Sequence, residues 1–165
     1  MVVVADSSPL ISLAALSDFD LLQRIFGAIQ IPPGVWAEVV NQGEDLPGKD
    51  AARQAAAEGW LRVTPLLAPA EPIRSAGRML HTGETEAIRL AEQLRADALL
   101  IDDRPAVIYA RSQGFRVVPT IAIYIEAKRK HLVRSVKEKV DRLRAAGFRL
   151  ADRDYQAVLA AAGEQ

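Results

Sequence analysis

The chain has 165 residues, 50% of them hydrophobic, which suits one ordinary domain that buries most of its apolar surface in a single core. It contains no cysteine, which excludes disulfide bridges and thiolate-ligated zinc or iron–sulfur centres. Basic and acidic residues number 21 each, and no apolar run is long enough to cross a bilayer, so we expect a cytoplasmic protein without a membrane segment.

The first half of the chain alternates short apolar runs with helical patterns. Residues 1–5 form a valine-rich run, typical of a parallel strand covered on both faces, and this run ends at Asp6. Ser8 and Pro9 then favour a helix over 10–16, because a hydroxyl can cap its free amides and proline fits its first turn. The next predicted elements are a helix at 18–26, a strand at 28–31, helices at 34–40 and 47–58, and a short edge strand at 60–64.

The second half continues this alternation after a loop at 65–72. Thr82 is the expected N-cap of a helix that ends at Leu94. A strand at 97–101 ends at Asp102 and Asp103. The remaining predicted elements are a helix at 105–113, a third parallel strand at 116–119, and helices at 121–130, 133–146 and 152–162. Strands separated by helices predict a three-layer α/β/α fold with a mostly parallel central sheet.

Two of the predicted strands end in acidic residues, at Asp6 and at Asp102 with Asp103. The ligand crevice of an open α/β sheet lies beyond the carboxyl ends of its strands, so these carboxylates should open onto one rim. The simpler explanation of any one of them is a helix cap, a role open to both Asp6 and Asp103. Two acidic strand ends favour a site instead, because the shared negative charge needs a metal or a base.

Two further acids are predicted to belong to this site. Glu84 falls between Ala91 and Ile88 on the apolar arc of its helix and so points inward, whereas Glu86 lies toward the polar side. Favourable interaction with the helix dipole explains an acid at position 84 but not its inward direction. Glu38 stands in an otherwise apolar helical segment, where an acid needs a partner or a metal.

Positive charge is concentrated near the C-terminus. Nine basic residues and two acids lie between Lys128 and Arg149, so the rest of the chain, with 12 basic and 19 acidic residues, has a net charge of −7. The segment that begins with Lys128, Arg129 and Lys130 is a candidate surface for phosphate backbones beside an acidic centre. The alternative is the solvated face of a helix, which is what most charge runs are.

Taken in order, these segments resemble the PIN-domain family, metal-dependent ribonucleases that include the toxins of many bacterial and archaeal toxin-antitoxin pairs. Residues 3–11 look like the family's opening strand, with its first metal-binding aspartate and a following hydroxyl residue. Residues 35–40 resemble the helix that carries its glutamate. Three further segments look like a branch in which a Gly-Glu pair replaces the usual third aspartate: residues 83–88, 99–104 and 147–164.

The resemblance implies that residues 1–165 form a single PIN-like domain, with a helical C-terminal extension at about 121–165. It also implies an endoribonuclease that hydrolyses RNA phosphodiesters with Mg²⁺ or Mn²⁺, both of which prefer oxygen ligands. As a toxin, the protein should bind an antitoxin that occludes the crevice, and relatives of this kind often form homodimers.

The residues are assigned as follows: Asp6 and Asp102 as metal ligands, Glu84 as a ligand or a base that positions water, and Glu38, Asp103 and Ser7 as supports. Whether Asp102 or Asp103 faces the metal stays open, because Ile101 stands where the family usually has a threonine or serine.

Other functions fit the sequence less well. The serines after the first strand lack a nearby histidine and a nucleophile elbow, and no glycine-rich phosphate loop is present. A phosphatase with a strand-end aspartate nucleophile needs a second acid two residues later, where this chain has Ser8. A catalytically silent PIN-like module that binds RNA or a protein partner stays open as an alternative.

Overall fold

The computed structural model of the protein describes residues 1–41 and 47–165. In chain order its strands are β1 (Val3–Ala5), β2 (Ile29–Ile31), β3 (Leu61–Val63), β4 (Arg74–Ser75), β5 (Arg78–Met79), β6 (Ala98–Leu100) and β7 (Val117–Val118). A parallel sheet has the strand order β3-β2-β1-β6-β7, and β4 and β5 form a separate antiparallel hairpin. Ala5 lies opposite Leu100, so the neighbouring strands β1 and β6 end at the same rim.

The helices cover both faces of the sheet. They are α1 (Ser7–Ala15), α2 (Asp20–Phe26), α3 (Pro33–Trp36), α4 (Lys49–Ala57), α5 (Thr82–Leu94), α6 (Arg104–Ser112), α7 (Thr120–Arg129), α8 (Val136–Ala145) and α9 (Asp152–Ala161). Helices α1 and α2 pack with α7, while α5 packs with α6 and against β1 and β6. The fold is therefore a three-layer α/β/α sandwich, as predicted.

The core explains why the strands are apolar throughout. All residues of β1 and β6 are buried, because helices cover both faces of a parallel sheet. Val140 and Leu143 of α8 and Leu159 of α9 belong to the same hydrophobic cluster. The C-terminal helices therefore pack onto the core that the sheet organises.

The structure differs from the sequence predictions in four places, besides shifts of one to three residues at the ends of elements. Asp6 is the N-cap of α1, so Ser8, which was predicted to cap this helix, lies inside it. Thr82 is the first residue of α5 and not its N-cap, which is His81. The predicted helix at 34–40 is a short α-helix followed by a π-helical turn at Ala37–Asn41. The β4–β5 hairpin was not predicted, since strands of two residues are too short to show an alternating pattern.

Within the described residues, no helix is both long and apolar enough to span a membrane.

Candidate functional site

Asp6 is held at the rim by the backbone of the sheet. Its N–H donates to the carbonyl oxygen of Leu100 at 2.9 Å, which continues the pairing of β1 with β6 by one residue. Although Asp6 stands at the N-cap of α1, its side chain makes no capping hydrogen bond. Only 3% of the residue is exposed, and its Oδ1 atom has no hydrogen-bond partner among the described residues. Capping therefore does not explain this aspartate, and a buried oxygen without a partner is costly.

The five predicted acids line one open cavity of about 1060 Å³. They are Asp6, Glu38, Glu84, Asp102 and Asp103. The end of α8 and the loop that follows it, including Phe148 and Arg149, also line this cavity. The fold thus brings together acids that are separated by up to about a hundred residues in the sequence.

The environment of Asp6 favours its neutral form. Burial is the main cause that raises the pKa of Asp6 to about 8, and the negative charges of Glu38, Glu84 and Asp102 act in the same direction. The backbone amide of Ser7 opposes them. A cation next to Asp6 would reverse this balance, because it favours the ionised carboxylate.

Asp102 is bound on both oxygens by one residue. The N–H of Thr120 donates to its Oδ1 atom at 2.7 Å, and the Thr120 hydroxyl donates to Oδ2 at 2.6 Å. Burial raises the pKa of Asp102, and the hydrogen bonds from Thr120 and Ser8 oppose that rise. Thr120 was not predicted, although it follows β7 at the same rim. The strand-end rule that selected Asp6 and Asp102 would also have selected Thr120.

Asp103 acts as the helix cap that its position suggested. Its Oδ2 atom accepts a hydrogen bond from the N–H of Ala106 at 3.1 Å, in the first turn of α6. The same oxygen lies 2.6 Å from Nη2 of Arg78, which comes from the β4–β5 hairpin. Asp103 is therefore anchored to a helix and paired with a cation.

Glu84 points inward, as its helical position predicted. Its residue is 8% exposed, and its Oε2 atom accepts a hydrogen bond from the N–H of His81 at 3.0 Å. The guanidinium of Arg78 lies farther away, at 3.4 and 3.5 Å from the two carboxylate oxygens. No pattern in the sequence pointed to Arg78, because its position depends on the unpredicted hairpin.

Glu38 reaches the same cavity from the π-helical turn. It accepts a hydrogen bond from the hydroxyl of Ser7, so the predicted supporting residues contact each other. A Cβ atom at position 83 would lie 2.7 Å from Cδ of Glu38, inside any normal contact distance. Glycine therefore precedes Glu84 because it lets the Glu38 carboxylate approach the first turn of α5, where the helix dipole favours negative charge.

The donors present suit a hard divalent cation. Among the described residues, no three His, Asp or Glu side chains are grouped closely enough to form a ready metal site. Mg²⁺ usually keeps several waters and takes one or two carboxylates, so a compact cage of three is not required. The Asp6 oxygen that has no hydrogen-bond partner among the described residues, in a cavity lined by four further carboxylates, fits such an ion.

The basic residues proposed for RNA contact lie elsewhere. Lys128 donates to Glu164 at 2.6 Å and to the carbonyl oxygen of Ala162 at 2.8 Å. Arg129 and Lys130 both form ion pairs with Glu126. None of these three cations lines the acidic cavity. Lys128 thus joins α7 to the C-terminal residues, whereas the pairs of Arg129 and Lys130 are local to the end of α7. The proposed role of these three residues in RNA binding stays a prediction.

Comparison with known proteins agrees with this architecture. The sequence pattern of a family described as a PIN domain matches residues 2–164, and the chain belongs to the PIN-domain family. Members of this family are generally nucleases.

Among solved structures, the chain is similar to a PilT N-terminus domain protein from the hyperthermophilic archaeon Sulfolobus solfataricus P2. The two share 19% sequence identity with a TM-score of 0.55, and the match covers 74% of this chain and 90% of that one. At this identity the likeness shows the fold alone. The comparison with curated proteins finds no match.

Proposed function

We propose that the protein is an endoribonuclease that hydrolyses RNA phosphodiesters with Mg²⁺ or Mn²⁺ at Asp6. The observation that carries this proposal is the buried Asp6 oxygen, which has no hydrogen-bond partner in the described part of the chain and lies in a cavity lined by four more acids. Concentrated negative charge of this kind is unfavourable by itself, and a divalent cation would offset it.

Each acid is assigned a role that agrees with its contacts. Asp6 and Asp102 are proposed as metal ligands, because Asp6 has the unpartnered oxygen and Thr120 orients Asp102. Glu84, oriented by the N–H of His81, is proposed as a ligand or as the base that positions water. A bound metal would lower the pKa of water and offset charge on the phosphate.

The supporting acids have structural contacts that agree with an indirect role. Ser7 orients Glu38, and Asp103 is committed to the cap of α6 and to Arg78. A cavity of about 1060 Å³ exceeds that of most small-molecule sites, which favours part of a polymer as substrate. We extend the proposal to a toxin of a toxin-antitoxin pair, which an antitoxin would inhibit by covering this cavity.

The second candidate is a catalytically silent module that binds RNA or a protein partner. It is favoured by the contacts of Glu38, Glu84 and Asp102, each of which already accepts hydrogen bonds from the protein. The two candidates differ in whether RNA is cut in the presence of a divalent metal.

The test is cleavage of single-stranded and structured RNA with Mn²⁺, for the wild type, Asp6→Asn and Asp20→Asn. Asp20 is an exposed acid of α2 paired with Arg24, so its loss controls for the removal of one negative charge. We expect Asp6→Asn to lower the rate at least about 100-fold, the upper end of what the loss of an outer-shell group costs a metal site. Equal rates in all three proteins would reject the nuclease proposal.

A further inference from the structure

The guanidinium of Arg78 spans two acids of the cavity. Its Nη2 atom lies 2.6 Å from Oδ2 of Asp103, while its nearest approach to Glu84 is 3.4 Å. About a third of the side chain is exposed, 33%, and its two acidic partners, Glu84 and Asp103, line the cavity, so the guanidinium lies beside the cavity and in reach of solvent. It is therefore a cation placed between the protein's acids and solvent.

The two contacts of Arg78 differ in kind. The contact with Asp103 is short and charge-assisted, and the cap of α6 anchors Asp103. The contacts with Glu84 are 3.4 and 3.5 Å, at the outer limit of a hydrogen bond. Asp103 therefore holds the guanidinium in place, and Glu84 is the partner that can be exchanged.

The turn of the hairpin that carries Arg78 contains a strained residue. Its turn places Ala76 at a φ of 48° and Gly77 at a φ of 82°, and an alanine in the left-handed region is strained. Nη1 of Arg78 also donates to the carbonyl oxygen of Met79 at 3.0 Å, which fixes the side chain along its own strand. The backbone and the side chain thus hold the charge at this location.

We propose that Arg78 contacts the substrate, an inference that rests on the proposed function. In the metal-free protein its guanidinium neutralises Glu84. With the Glu84 carboxylate bound to a divalent cation, the guanidinium N–H groups that faced Glu84 are free to bind a phosphate oxygen of the RNA. Asp103 keeps the guanidinium in place. The fork of an arginine matches phosphate oxygens in a way that a lysine cannot.

Arg74 is a matched control on the same hairpin. Arg74 pairs with Met79 and Ser75 pairs with Arg78, so Arg74 and Arg78 lie on opposite faces. The guanidinium of Arg74 reaches the carbonyl oxygen of Gly77 at 3.5 Å and is exposed. Arg74→Gln and Arg78→Gln therefore remove the same charge from the same hairpin, and Arg78→Lys keeps the charge without the fork.

The first measurement is Mn²⁺ affinity without RNA, by titration calorimetry. Arg78→Gln should bind Mn²⁺ about three- to fivefold more tightly than the wild type, because the competitor for Glu84 is gone. Arg74→Gln should stay within about twofold of the wild type, since exposed charges are screened. Thermal melting of each variant checks that the fold is intact.

The second measurement is steady-state cleavage of a single-stranded RNA of mixed sequence at several salt concentrations. Arg78→Gln should raise KM, and the slope of log KM against log salt should decrease by about 0.7, the value for one phosphate contact on a single strand. Arg74→Gln should keep the wild-type slope, and Arg78→Lys should keep the slope with a raised KM. A merely structural role would leave the slope unchanged.

The outcomes separate the two proposals. Should the wild type bind Mn²⁺ and cleave RNA while Arg78→Gln matches Arg74→Gln in both measurements, the role of Arg78 is rejected and the nuclease proposal stands. Tighter Mn²⁺ binding with an unchanged salt slope also rejects the phosphate contact. If the wild type neither binds Mn²⁺ nor cleaves RNA, the proposed function is rejected and the role of Arg78 with it.

Discussion

Gly83 and Glu38 fit together so closely that a methyl group on the glycine would overlap the carboxylate. A reciprocal contact occurs about one turn away, between α3 and the same N-terminal part of α5. Glu86 of α5 accepts a hydrogen bond from the N–H of Gly34 in α3 at 2.7 Å. A Cβ atom at position 34 would lie 2.9 Å from Cδ of Glu86. Each glycine thus admits a glutamate from the other segment, which sets the position of Glu38 beside Glu84.

Gly83→Ala should lower Mn²⁺ affinity clearly while it lowers the free energy of unfolding only modestly. Overpacking costs about 1–3 kcal/mol, but alanine gains up to about 1 kcal/mol of helix propensity, and the Glu38 carboxylate can swing away. We expect less than about 2 kcal/mol of lost stability in urea unfolding, with Mn²⁺ affinity about tenfold lower because Glu38 is displaced. Gly34→Ala is the control. It displaces Glu86, which does not line the cavity, and it should therefore leave Mn²⁺ affinity unchanged. Wild-type affinity in Gly83→Ala would contradict the prediction.

The pKa of Asp6 predicts how stability depends on pH without metal. In the folded protein the pKa is about 8, above its ordinary value of 3.8, so folding favours the protonated form. The resulting stabilisation is complete below pH 3.8 and is lost as the pH rises toward 8. Asp6→Asn has no charge to bury, so in EDTA it should exceed the wild type by at least about 1 kcal/mol at pH 9 and by less at pH 5. If the unfolding free energies of the wild type and Asp6→Asn, measured in urea, changed with pH in parallel, the pKa of Asp6 would not be raised by its environment.

Metal uptake should displace the proton of Asp6. Below a pH of about 8, the apparent Mn²⁺ affinity of the wild type should rise with pH and then level off. The rise should be about tenfold per pH unit if one proton leaves for each ion bound. Calorimetry in buffers of different ionisation enthalpy measures the number of protons released. A value near zero at pH 6.5 would show that Asp6 is already ionised or is not a ligand.

Glu164 should stabilise the C-terminal helices through its charge. Its carboxylate accepts hydrogen bonds from Lys128 at 2.6 Å, from the N–H groups of Val136 and Lys137 at 2.7 and 2.9 Å, and from the hydroxyl of Ser135 at 2.9 Å. Burial acts to raise the pKa of Glu164, but these bonds outweigh it and lower the pKa to about 2. Because the folded pKa is depressed, the stabilisation is present above pH 4.5 and is lost as the pH falls toward 2.

Glu164→Gln should therefore cost about 2 kcal/mol at pH 7, the usual contribution of hydrogen bonds to a charged group. The difference from the wild type should shrink as the pH falls below 4.5. Glu126→Gln is the matched control, because its partners Arg129 and Lys130 are exposed and such pairs contribute about 0.5 kcal/mol or less. Equal losses in the two variants at pH 7 would mean that Glu164 acts as an ordinary surface acid.

Local patterns in the sequence determined the layers of the fold and the rim where the site lies. Buried strands without alternation, separated by helical periods, specify a parallel sheet covered on both faces, and parallel strands all end at one edge. That reasoning was sufficient to bring Asp6 together with Asp102, and helical periodicity was sufficient to turn Glu84 inward. Each of these predictions used only patterns among residues that are close to one another along the chain.

Only the tertiary structure decided how each acid is paired. Asp6 and Asp103 are both strand-end aspartates, yet Asp103 caps α6 and binds Arg78, while Asp6 keeps a buried oxygen without a partner among the described residues. The bond between Ser7 and Glu38 and the approach of Glu38 to Gly83 likewise join residues that are far apart in the sequence. Such contacts arise when whole helices and strands pack, because packing and not local periodicity brings distant side chains to bonding distance.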